Sequence, residues 1–135
     1  MVDTILTRGE MERNLSQSVQ SFYRKQLGCR TDKVSCHIID EKVAIAIHNP
    51  ITPIERLLNN SQDSSFVKDL RERIDTIVKD QLRAKMEEII GVQAIALTID
   101  TTLDNDLTGI VALLAKKPKL RELKRNSNNL KVKGK

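Results

Sequence analysis

The sequence predicts an α+β domain in the order α-β-β-(short α)-α-β-β, a four-stranded antiparallel sheet packed with two main helices. Three observations carry this. A stretch from Ser64 to Ile90 spaces its apolar residues by three and four. Two pairs of short β-branched runs flank it, at Val34–Ile39 with Lys42–His48 and at Val92–Thr101 with Thr108–Lys116. Gly28, Asn49-Pro50, Gly91 and Pro118 punctuate the joins.

The first helix opens at Leu6-Thr7-Arg8-Gly9-Glu10-Met11. Thr7 and Glu10 have capping-box spacing, and Leu6 with Met11 fits a hydrophobic staple. Met11, Leu15, Val19, Phe22, Tyr23 and Leu27 then form one apolar stripe, which Gly28 ends in the left-handed C′ role.

Asp40-Glu41 reads as a tight turn between the first two strands. It sets Ile38 opposite Val43, Cys36 opposite Ile45 and Val34 opposite Ile47. That face is apolar and packs on a helix. The reverse face holds Ser35, His37, Ile39, Ala44, Ala46 and His48, too apolar for a fully solvated sheet. Thr52-Pro53-Ile54-Glu55 supplies an N-cap and a proline at N1 for a short helix to about Leu58.

The long helix spans about 40 Å at ~1.5 Å per residue. Its stripe is Phe66, Val67, Leu70, Ile74, Ile77, Val78, Leu82, Met86, Ile89 and Ile90. Asp69–Arg73 and Asp75–Lys79 read as i,i+4 ion pairs on the solvent face. In the second hairpin Ile95, Leu97 and Ile99 share one face, and Ala94, Ala96 and Thr98 the other. The last strand is apolar on both faces, which predicts cover on both. Alanines at 44, 46, 94, 96 and 112 leave room for another layer, the first helix or a second protomer.

At 135 residues the chain is one domain over residues 1–117, with a basic, flexible tail over 118–135. Residues 116–135 hold nine Lys/Arg against one Glu, while the rest holds fourteen against seventeen Asp/Glu. The tail therefore carries the basicity. Lys116, Lys117, Lys119, Arg121, Lys124 and Arg125 are its candidate contacts with nucleic-acid phosphate or another anionic surface. No apolar run approaches the roughly 20 residues of a membrane span, and no secretory signal is visible, so the expected location is the cytoplasm.

Catalytic and metal signatures are weak. Cys29, Cys36, His37 and His48 are the soft ligands, but the strand register separates the two histidines by about 13 Å. Asp100, Asp104, Asn105 and Asp106 lack the calcium-loop pattern and read as a hairpin loop. The glycines at 9, 28, 91, 109 and 134 are not spaced to cradle a phosphate. No catalytic residue, cofactor or metal is assigned, and the expectation is a protein that is not an enzyme.

One pattern goes further. The series Gly28, Val34-Ser-Cys-His-Ile-Ile, Val43-Ala-Ile-Ala-Ile, Ile51-Thr-Pro-Ile-Glu55-Arg-Leu-Leu58, then Val67, Leu70, Arg71 and Arg73, then Ile89-Ile90-Gly91-Val92 and Asp100, resembles the MpsC-like family. That small bacterial domain family is named for a component of a sodium-translocating, membrane-potential-generating system. The resemblance covers residues 8–117; where the family has a Gly-Arg-Gly-Pro-like turn, this chain has Gly28-Cys29-Arg30-Thr31. It implies an accessory or regulatory role near Na+ or inorganic-carbon transport, with a transport-system protein as partner. The reading is therefore a non-enzymatic adaptor that forms a homodimer. Thr52, Pro53, Glu55, Arg71 and Arg73 are the expected partner-binding edge. The alternative is a nucleic-acid-binding protein that uses the basic tail.

Overall fold

The computed structural model describes residues 5–59 and 64–122. The elements are α1 (Arg8–Leu27), β1 (Lys33–Ile39), β2 (Lys42–His48), α2 (Pro53–Asn59), α3 (Ser64–Ile90), β3 (Ala94–Thr102) and β4 (Leu107–Leu114). The predicted order and class hold.

Helix α1 begins with the reciprocal capping box: Glu10 N–H donates to Thr7 Oγ1 at 3.2 Å, and Thr7 N–H to Glu10 Oε1 at 2.9 Å. Gly28 closes it at φ 68°, a conformation a Cβ would strain. The four strands lie in the order β1-β2-β4-β3, all neighbours antiparallel. The predicted pairs Ile38–Val43, Cys36–Ile45 and Val34–Ile47 are all present. Asp40 makes their turn at φ 55°, which a short Asx side chain tolerates.

Both α1 and α3 cover the same sheet face. Met11, Leu15, Val19 and Phe22 from α1 meet Val78, Leu82, Met86 and Ile90 from α3 over Cys36, Ile38, Val43, Ile45, Ile110 and Ala112. The first helix therefore does not supply the expected second layer: nothing in the described chain lies on the reverse face. Ile39 is 58% exposed there and Val111 57%.

Two further corrections concern side-chain direction. A bulge between Ala94 and Ala96 shifts the register of β3 against β4. Ala94 is consequently buried beneath the helices, and Ile95 faces out. The extra residue reverses the alternation that the sequence pattern gave for this end of the strand. Of the five alanines, 94 and 112 are core, whereas 44, 46 and 96 lie on the open face.

In α3 the buried arc runs Val67, Arg71, Asp75, Val78, Leu82, Met86, Ile90. Ile74 and Ile89 flank it, half-buried. Ile77 is 62% exposed and Phe66 is also exposed, against expectation. At about 100° per residue they lie roughly 160° and 180° round the helix from Asp75. The arc turns that far because Arg71 and Asp75 point inward. Asp75 accordingly pairs with Arg71 and not with Lys79, while the exposed Asp69–Arg73 pair forms as expected at 3.2 Å.

Carboxylates plug both sheet edges. Ile38 N–H donates to Glu12 Oε2 at 2.8 Å, and Ala94 N–H to Glu87 Oε2 at 2.7 Å. The packed body also extends past residue 117. Pro118 is buried, Leu120 packs on the core, and Arg121 N–H donates to the Leu6 carbonyl at 2.8 Å. The tail candidates Lys124 and Arg125 lie outside the described residues.

Candidate partner-binding corner

The sequence Thr52-Pro53-Ile54-Glu55 folds as a second capping box. Glu55 N–H donates to Thr52 Oγ1 at 3.3 Å, and Glu55 Oε1 accepts from the Thr52 amide at 2.9 Å and hydroxyl at 2.8 Å. Such a cap normally sits in water. Here it faces α3, and Glu55 is fully buried.

Arg71 balances that carboxylate. Its Nε donates to Glu55 Oε2 at 2.7 Å and its Nη2 to Oε1 at 2.5 Å, the planar fork a carboxylate prefers. Nη2 also donates to the Pro50 carbonyl at 3.0 Å, and Nη1 to Asp75 Oδ1 at 3.1 Å. Asp75 Oδ2 accepts from Thr101 at 2.8 Å, and the Thr101 and Thr108 hydroxyls are 2.6 Å apart. The Cys29 thiol donates to the same Pro50 carbonyl at 3.1 Å.

One guanidinium thus stands between two buried carboxylates. Burial works against the Arg71 charge, but Glu55 and then Asp75 outweigh it and hold its pKa above the ordinary value. Burial lifts the Asp75 carboxyl above its usual range, although Thr101 and Arg71 pull the other way. Burial likewise raises the Tyr23 phenol, with Asp75 adding to the effect and Arg71 and Thr108 opposing it.

An open cleft of about 440 Å³ lies beside this network, between α3 and the β3–β4 turn. Lys68, Glu72, Asp104 and Asn105 stand on its walls, with Arg71 and Asp75 among its lining. The two oxygens of Asp75 and the three guanidinium nitrogens of Arg71 are already bonded within the protein. They hold structure in place and offer little to an incoming group.

Of the five expected edge residues, Thr52, Glu55 and Arg71 are sealed inside, and only Pro53 and Arg73 reach the surface. The corner instead presents Ile54, 58% exposed, and Leu57, 68% exposed, both on α2. Asp75 and Thr101 were missed as members of the network. The i,i+4 spacing of Arg71 and Asp75 was the available signal, since it equally allowed the inward pairing. His37 and His48 are exposed on the open face at separate rows, opposite Ala44 and Lys33. Among the described residues no three His, Cys, Asp or Glu are grouped to hold a metal.

A two-helix layer on one side of an antiparallel sheet, with a short helix clamped by a buried Arg–Glu fork, defines an α+β protein with a built corner. Residues 7–116 match the family described as Na+-translocating membrane potential-generating system (MpsC), and the chain belongs to that family. No curated protein and no solved structure matches the chain. Among the described residues no helix is long and apolar enough to cross a membrane.

Proposed function

We propose that this protein is a non-enzymatic, cytoplasmic accessory component of a membrane-potential-generating transport system, acting as an adaptor. The observation that carries the reading is the α2 corner. Two large aliphatic side chains, Ile54 and Leu57, stand in solvent on a helix of seven residues. A helix that short does not hold itself in water. The Glu55–Arg71 fork fixes it to α3. Rigid exposed aliphatics beside Pro53 are what a partner's apolar groove recognises.

The test uses membranes from cells that produce the protein natively. The expected result is co-sedimentation of the wild-type chain with those membranes and co-purification with subunits of a cation-transport complex. Leu57→Glu and Ile54→Glu should each release it while leaving its circular dichroism unchanged. Wild-type protein that captures no transport subunit, or capture that survives both substitutions, would overturn the reading.

A further inference from the structure

We infer that the open sheet face is a homodimer interface, with the two-fold axis parallel to the strands and passing between β2 and β4. The face has sixteen outward positions in four rows. Its rows are Lys33-His48-Leu107-Thr102, Ser35-Ala46-Gly109-Asp100, His37-Ala44-Val111-Thr98 and Ile39-Lys42-Leu113-Ala96. Ala44, Ala46, Gly109, Val111 and Leu113 adjoin one another across the two central strands, and Val111, Leu113 and the edge residue Ile39 are exposed. A contiguous apolar patch of this kind marks an association surface.

Three arguments select a second copy. The first is the state of the edges. Glu12 and Glu87 already occupy an amide on each edge strand, which discourages strand addition and leaves the face as the open surface. The second is size. Four strands at about 4.8 Å and seven residues at about 3.3 Å give a footprint of roughly 19 by 23 Å. Two such faces hide about 900 Å² before side-chain relief is counted, close to the ~1,000 Å² at which specific interfaces begin.

The third is charge. Among these sixteen positions the β1–β2 half carries Lys33 and Lys42, whereas the one charge on the β3–β4 half is Asp100. An axis across the strands would stack the basic half on itself. The axis along the strands lays β1 over β3 of the second copy. Asp100 then lies opposite Ser35 of the partner subunit, with Lys33 of the partner subunit and His37 of the partner subunit about 7 Å to either side. Val111 meets the shallow surface above Ala44 of the partner subunit, so a large residue faces a small one. Each contact occurs twice, as an isologous interface requires.

Size-exclusion chromatography with light scattering tests this on the full chain. The wild type should run at twice 15.3 kDa. Val111→Glu, and separately Ala44→Arg, should each give the 15.3 kDa species with unchanged circular dichroism. Ile77→Glu, on the opposite side of the molecule, should remain dimeric. Asp100→Lys should weaken association about tenfold, and adding Lys33→Glu should restore it. A wild type that stays monomeric at high concentration would overturn the inference, even if Val111→Glu weakened binding to another protein or to vesicles. A dimer indifferent to both Val111→Glu and Ala44→Arg, or to Asp100→Lys, would overturn it as well.

Discussion

Arg71 of α3 grips Glu55 of α2 at two points, with distances of 2.7 and 2.5 Å, and neither side chain reaches water. Removing one member leaves the other charged and buried. Arg71→Met should therefore cost about 3–5 kcal/mol of unfolding free energy. The double variant Arg71→Met, Glu55→Leu should recover part of it, because the fork's two desolvation costs disappear together while Asp75 still lacks its cation. Urea denaturation of the single and double variants checks this. Additive losses would show that the two residues do not act as a pair.

Asp75 makes stability depend on pH in an unusual direction. Its folded carboxyl lies above the ordinary 3.8, so the folded chain binds the proton more tightly than the unfolded one. That contribution is harmless below 3.8 and becomes a growing penalty as pH rises through the folded value. Asp75→Asn keeps an oxygen for Arg71 and offers an amide to the Thr101 hydroxyl. Its stability relative to wild type should increase between about pH 3.5 and pH 7. A difference in urea midpoint that stays flat or falls over this range would contradict the assignment.

The two thiols should be inert while the protein is folded. Cys29 and Cys36 are buried, and burial pushes both to about 11. Almost no thiolate is then present near neutral pH. A thiol-specific chromogenic disulfide should label neither promptly in buffer and both at once in denaturant. Prompt labelling of the native protein would mean that the core around β1 opens readily.

Part of the basic segment packs on the body. Ending the chain after Lys116 removes the buried Pro118 and the packed Leu120, and should lower stability by about 1–3 kcal/mol. For a tail that grips nucleic-acid phosphate, ending the chain after Glu122 removes Lys124 and Arg125 and should weaken a steeply salt-dependent binding. Binding unchanged by that cut would have to come from elsewhere in the chain.

Much of the fold was legible in local pattern. The capping boxes at Thr7 and Thr52, the Asp40-Glu41 turn and the register it fixes are properties of a few neighbouring residues. The failures lie where distant groups decided the matter. Ile77 looked like core because it is aliphatic at helical spacing, but Arg71 and Asp75 claimed the buried arc by bonding to residues on α2 and β3. Ile95 looked buried until the bulge re-aimed it. Thr52, Glu55 and Arg71 have the chemistry of a partner-binding edge, but in the fold they form the clamp that presents Ile54 and Leu57.

What the sequence by itself determined is the set of elements, their order and the pairing within the first hairpin, because spacing, caps and turns act over a few residues. Only the tertiary structure decided that both long helices share one sheet face and that a buried ion network spans α2, α3 and β3. Those outcomes depend on which surfaces meet across the whole chain. An apolar strand face looks the same in sequence whether a helix covers it or it stands open to solvent.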